Sequence, residues 1–198
     1  MVLARMPLAG FGLVNFELML LRRMDDHQPS LVSGALKNLG KSGTDARAAH
    51  AQWQRGLRSD FPDGAARYRM ALGRPDFTGT RSTTLGGDLA VEGWTMPLWP
   101  GLQFQITFGP GGEVIDERLV RRAGSPTATA PTITEPADLR PWLVTIDDLE
   151  RSCGPVRFRM SAGTVPSHAI AEFTVPDGTA CEAQFSWGLL QKASTKAE

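Results

Sequence analysis

The segment Ala35 to Ser42, ALKNLGKS, comes nearest to a complete chemical motif. With Ala in place of the first Gly it fits a permissive phosphate-loop pattern, in which backbone N–H groups and a lysine cradle phosphates. Further on, WLVTIDD reads as an apolar strand ending in Asp147, where a magnesium-binding carboxylate would stand. The context opposes nucleotide hydrolysis. A phosphate loop follows a strand and opens a helix, whereas the spacing of Leu31, Ala35 and Leu39 puts most of ALKNLG inside a helix that ends there.

Asp147, Asp148 and Glu150 form a carboxylate cluster, but at a helix start such residues answer the positive end of the macrodipole. His27 beside Asp25 and Asp26 would be one arm of a metal site that has no second arm, since His50 and His168 stand singly. Ser167-His168 precedes a strand, and no nucleophile elbow surrounds any serine. Cys153 and Cys181 match neither a zinc knuckle nor a Cys-x-x-Cys redox motif. Two readings of the pair stay open, one disulfide in an oxidising compartment or two buried thiols in a reducing one. The sequence thus calls for no catalytic set, no metal and no cofactor.

Recognition chemistry is better represented. Trp94 and Trp99, in GWTMPLWPGLQF, and nearby Phe104 are candidates for a protein-binding face or the lining of a small-ligand cavity. The competing reading is core, because large aromatics mainly fill interiors. Two turns, Gly109 to Gly112 and Pro176 to Thr179, are hairpin tips by their chemistry, which makes Asp177 a candidate contact for a partner.

The elements that must position these groups follow from periodicity. Apolar residues recur at helical spacing from Phe11 to Met24, from Ser30 to Leu39 with Pro29 at its start and Gly40 at its end, and from Thr44 or Asp45 to Leu57. After Ser59 the elements shorten. A helix is expected from Gly64 to Leu72, with Gly73 as its stop and Pro75 beyond. LQFQITF alternates apolar and polar residues, GPGG turns the chain, and EVIDERLV returns as its partner strand. Residues 123–137, AGSPTATAPTITEPA, have the composition of a semi-stiff linker or an edge crossing. Thr145 can cap a short helix with Asp148 in capping-box spacing, and Gly154-Pro155 stop it. VRFRM and AIAEFTV then read as strands, with ACEAQFSW returning after PDGT.

The grammar occurs twice. GLQFQITFGPGGEVIDERLV answers HAIAEFTVPDGTACEAQFSW, and at an offset of 67 Ile106 matches Phe173, Phe108 matches Val175 and Gly111 matches Gly178. The chain therefore reads as a segment 1–58 of helices, a helix-plus-hairpin unit 59–122, a linker 123–137 and a second unit 138–198, with 59–198 as one globular domain. A unit of this kind, carried by Pro62, Gly64, Leu72, Gly73, Pro75 and the hairpin 102–120, resembles the repeat of the beta-lactamase inhibitory protein and its relatives, the small outer-membrane-assembly lipoproteins. The second copy rests on Leu149, Gly154, Pro155 and the hairpin 169–187, so the resemblance covers residues 59–190 at most. The lipobox cysteine of the lipoprotein relatives has no counterpart here. The resemblance implies a non-catalytic module whose sheet and hairpin tips engage a protein partner.

Composition sets the outer bounds. The 198 residues, 41% apolar and 21% charged, suffice for a sizeable core, and 21 Gly with 14 Pro disfavour a helical bundle. Lys plus Arg equals Asp plus Glu at 21 each, so no global basic field exists to hold nucleic acid. Residues 1–81 nevertheless carry twelve basic groups against seven acidic ones, which leaves an acidic C-terminal half suited to a basic partner. Membrane contact through residues 6–24 is disfavoured, because their uncharged run is far below the roughly 20 apolar residues a spanning helix needs. The expected fold is α+β, N-terminal helices followed by antiparallel sheet from two helix-plus-hairpin repeats. The expected function is a non-enzymatic protein-binding module of inhibitor, immunity or envelope-assembly type. Its rival is a small-ligand carrier or enzyme with a pocket lined by the Trp94/Trp99 segment. A binding module would present its aromatics and Asp177 on a surface, whereas a pocket protein would bury two or more polar groups converging on one cavity.

Overall fold

A computed structural model describes residues 8–59, 64–82, 87–159 and 168–196. Among the described residues five α-helices and eight strands follow one another as α1 (Leu13–Met24), α2 (Pro29–Asn38), α3 (Gly43–Leu57), α4 (Gly64–Leu72), β1 (Phe77–Ser82), β2 (Asp88–Met96), β3 (Trp99–Phe108), β4 (Val114–Arg121), α5 (Ile146–Ser152), β5 (Arg157–Arg159), β6 (His168–Thr174), β7 (Ala180–Ser186) and β8 (Leu189–Thr195). The fold is α+β, with N-terminal helices followed by two antiparallel four-stranded sheets, ordered β1-β2-β3-β4 and β5-β6-β7-β8. Two compact units divide the chain, one of residues 1–98 with 106–115 and the other of residues 99–105 with 116–198. The expected helical segment 1–58 is thus grouped with α4 and most of the first sheet, and the hairpin 102–120 is shared between the units instead of closing one of them.

In the first unit α1 packs on α3, with α2 and α4 alongside. Residues Phe16 to Leu21 are all buried, so the middle of this helix is covered all round, while Val14 in its first turn is exposed. Phe11, Phe16, Trp53 and Tyr68 form a ring cluster with centroids 5.3 to 6.3 Å apart, the edge and tilted geometry that aromatic quadrupoles favour. Among the described residues no helix is long and apolar enough to cross a membrane. α3 starts where Ser42 accepts from the Asp45 N–H at 3.2 Å and Asp45 accepts from the Ser42 N–H at 2.8 Å, a reciprocal cap. The phosphate-loop-like segment therefore runs from α2 through a turn into α3. Its Lys41 and Ser42 do open a helix, but what precedes them is a helix and not a strand.

The second unit is built on a core of Ile133, Val144, Leu149, Phe173, Val175, Cys181 and Phe185, with Cys153 packed against it. Thr145 and Asp148 cap α5 reciprocally, as their spacing requires. Residues Trp142 to Ile146 run antiparallel to the start of β8. Trp142 N–H donates to Leu190 O, Leu190 N–H to Val144 O and Ile146 N–H to Gly188 O, with Thr145 bridged to Leu189. The stretch 123–137 is a packed crossing, not a free spacer, since Ile133 is buried in this core and Thr134 O accepts from the Asp177 N–H.

Both sheets follow a helix and run as a four-strand meander; in the first, two strands precede the expected hairpin β3–β4, and in the second, β5 precedes and β8 follows the expected hairpin β6–β7. By position in its sheet β3 corresponds to β7. The offset of 67 pairs it with β6 instead, one strand out of step. Both strands alternate, and alternation alone cannot fix which neighbour in a meander is the true counterpart.

Candidate functional site

The β6–β7 turn is where sequence and structure agree on an exposed acid. Val175 at its base is buried, and its N–H donates to Thr179 O at 3.1 Å while Gly178 N–H donates to Val175 O at 2.9 Å. Asp177 stands exposed between them. Its Oδ1 accepts from the Thr179 N–H at 2.8 Å, the local bond that makes Asp a turn former, and its own N–H donates to Thr134 O at 3.1 Å. The tip is thereby fixed by its own turn and by the crossing segment beside it. That segment adds carboxylates. Exposed Glu135 follows Thr134 directly, and Asp138 accepts from the Thr134 N–H and hydroxyl at 2.8 Å and from the Glu135 N–H at 3.1 Å. The Thr134 and Glu135 N–H groups and the Thr134 hydroxyl hold the Asp138 carboxyl below the usual range, so it is anionic and already engaged. The surface offers an acceptor-only, negatively charged tip, suited to Lys or Arg side chains.

The aromatic candidates require a correction. Trp94 is 2% exposed, Trp99 7% and Phe104 0%, so none of them offers a contact surface. Trp94 donates its indole N–H to Gly73 O at 3.1 Å in the first unit. In the second unit Trp99 meets Trp142 edge-on at 5.6 Å, and Phe104 lies 5.8 Å from Trp187. The physical reason is area: rings of this size are worth more buried than exposed. Trp94 and Trp99 line neither of two open grooves in the first unit. One, of about 460 Å³, lies between α2 and the start of α3 beside Lys37, Lys41 and Ser42. The other, of about 620 Å³, lies between the start of α4 and the β3–β4 tip beside Arg67, Arg69 and Glu113.

Asp147 and Asp148 belong to ion pairs. Arg118 pairs with Asp116 at 3.1 Å and with Asp147 at 3.2 Å. Asp148, fully buried, accepts from Arg121 on β4, from Arg151 and from the Thr145 N–H. Burial pushes its carboxyl up, but the bonds from Arg121 and Thr145 outweigh it and leave the group below the usual range. The macrodipole explained these acids only in part. The Arg121 partner lies 27 residues away and carries no local signal. On the outer face of the second sheet, Arg159 pairs with Glu172 and Glu182, and Lys196 with Glu172 at 3.0 Å, a set that neutralises itself.

Cys153 and Cys181 are free thiols, partly buried and buried respectively. Desolvation raises both above the ordinary thiol value, helped by each other's proximity at Cys153 and by the Asp177 charge at Cys181. His50 is half-buried, and burial together with Arg23 and Arg22 lowers its pKa. Among the described residues no three His, Cys, Asp or Glu side chains gather to hold a metal. Ser167 and Pro62 lie outside the described residues. Compared with protein-family models, curated proteins and solved structures, the chain matches none.

Proposed function

We propose that this chain is a non-catalytic protein-binding module that meets a basic surface of its partner through the β6–β7 tip. The observation that carries this reading is the presentation of Asp177, an exposed carboxylate whose backbone is tied on one side to Thr134 and whose side chain is tied to the Thr179 N–H. A charge held in this way loses little conformational freedom on binding, which is how a small contact gains affinity. Neighbouring Glu135 adds to the negative field, which speeds encounter with a cationic partner. The reading of an inhibitor, immunity or envelope-assembly type rests on the resemblance of the repeated helix-and-hairpin plan to the beta-lactamase inhibitory protein.

The experiment is an affinity capture from native host lysate with mass spectrometry, run with the wild type, Asp177→Asn and Asp177→Arg. A single stoichiometric protein partner should be captured by the wild type and released by charge reversal, with affinity falling at least about tenfold, or about 1.4 kcal/mol. Capture that is indifferent to Asp177, or the absence of any stoichiometric partner, overturns the reading.

A further inference from the structure

Glu17 is the least expected side chain in the first unit. It sits in the run Phe16 to Leu21 that α1 buries on all sides, and its own exposure is 0%. One carboxyl oxygen, Oε1, accepts from the Leu98 N–H at 2.6 Å, in the turn between β2 and β3. The other, Oε2, is buried with no hydrogen-bond partner. A buried carboxylate ordinarily survives by pairing with a cation or by collecting several N–H donors. Glu17 has one donor.

The charged and titratable groups of the elements around it give no relief. On α2, Lys37 is exposed. On α3, Asp45 is closed in its cap with Ser42, Arg47 bonds to Thr44, His50 lies near Arg22 and Arg23 of α1's last turn, and Arg55 is exposed. On α4, Arg67 reaches Ser59 O, Tyr68 lies in the ring cluster and Arg69 pairs with Glu92 of β2. Asp88 of β2 accepts from Ser82. Among the described residues, only burial and the Leu98 N–H act on Glu17, the first pushing its pKa up and outweighing the second.

We propose that Glu17 is a proton-controlled clasp: α1 closes on the β2–β3 turn with the acid neutral, and rising pH loosens that closure. The neutral acid keeps the Leu98 bond and places no charge in the interior. Its ionised form has the same single bond and a full charge, which only water can solvate, and water reaches it only if α1 and the turn part. The linkage fixes the sign. A carboxyl whose value is raised in the closed state contributes fully below its open-state value of about 4.3, and that contribution is lost as the pH rises to the raised value. Across that window opening of α1 grows about tenfold per pH unit and then levels off.

The test is hydrogen exchange of the α1 backbone in the wild type and in Glu17→Gln, followed from pH 4 to pH 9 on the full chain. Comparing the two proteins at each pH removes the intrinsic pH dependence of exchange. The expected result is a protection ratio, variant over wild type, that climbs by about tenfold per unit above pH 4.3 and reaches a plateau. A ratio flat across the range overturns the proposal. Should the variant fail to fold, carbon NMR of the wild-type glutamate carboxyls decides. One carboxyl titrating well above the others, in step with increased α1 exchange, supports the clasp. All of them titrating near 4.3 overturns it.

Discussion

The guanidinium of Arg121 on β4 closes on the carboxylate of Asp148 on α5 with its Nε 3.0 and 2.9 Å from the two oxygens and a terminal nitrogen 2.8 Å from Oδ2. The same arginine donates to Leu143 O at 2.6 Å, so it ties a strand, a helix start and the segment leading into that helix. Asp148→Ala removes the acceptor and leaves Arg121 charged and largely buried. The expected loss is about 3 kcal/mol of unfolding free energy at pH 7, measured by urea denaturation, because the remaining charge keeps the Leu143 carbonyl but loses its carboxylate. The pH dependence follows from the depressed carboxyl. Its contribution is present above about pH 3.9 and is lost as the pH falls through the depressed value, so wild type and Asp148→Asn should converge in stability toward pH 2.

The two helix caps are not equivalent. Ser42 and Asp45 are exposed, whereas Thr145 and Asp148 are buried. Ser42→Ala should cost about 1 kcal/mol, the ordinary value of a lost N-cap. Thr145→Ala should cost about 2 kcal/mol, since it also strips a buried Asp148 N–H of its acceptor. Chemical denaturation of the two variants checks the order, and equal losses would contradict it.

The Thr145 cap was legible in the sequence, as were the helix limits to within a residue or two, because each depends on residues within four positions of one another; the Ser42 cap of α3 emerged only with the structure. The hairpins were legible for a similar reason, β3, β4, β6 and β7 all standing where turn chemistry and alternation put them. Three strands left no such trace. β1 is exposed along nearly its whole length, so FTGTRS has no apolar face to alternate. In β2 the run Val91 to Trp94 is buried on consecutive residues, Glu92 and Gly93 included. In β8, Leu189, Leu190 and Gln191 are buried in succession beside a bulge at Gln184/Phe185 and the added segment Trp142 to Ile146. Period two disappears when both faces are covered. At the candidate site, turn chemistry exposed Asp177 without revealing Thr134 as its partner, because a contact across more than forty residues leaves no local mark. Asp148 with Arg121 and Glu17 with Leu98 escaped for the same reason.

Trp187 and Gly188 form the two-residue turn between β7 and β8, with φ values of 53° and 73°. A tryptophan in the left-handed region is strained, and its burial against Phe104 offsets the cost. At Gly188 an added Cβ would lie 2.8 Å from Arg118 Cβ and 3.1 Å from Leu119 O. Gly188→Ala should therefore destabilise by at least about 2 kcal/mol, combining the left-handed penalty with displacement of β4. Trp187→Ala should cost about 3 kcal/mol by emptying a ring-sized volume. Thermal unfolding of both variants provides the measurement.

The two thiols should react slowly. Burial disfavours the thiolate at Cys153 and Cys181, so a disulfide reagent at pH 8 should modify the native protein at less than about one tenth of the rate of a free thiol. In denaturing urea both should react at the ordinary rate. A fast phase in the native protein would contradict the environment described for them.

The Trp142 to Ile146 segment alongside β8 also bears on association between copies. An uncovered row of backbone N–H and C=O groups at a sheet margin is a template on which further chains can add, the first step of fibril growth. At Leu189 and Leu190, the most apolar stretch of β8, that template is already occupied by Val144, Trp142 and Thr145. Beyond them β8 continues through Lys192, Ser194 and Thr195, the kind of polar sequence that resists strand addition.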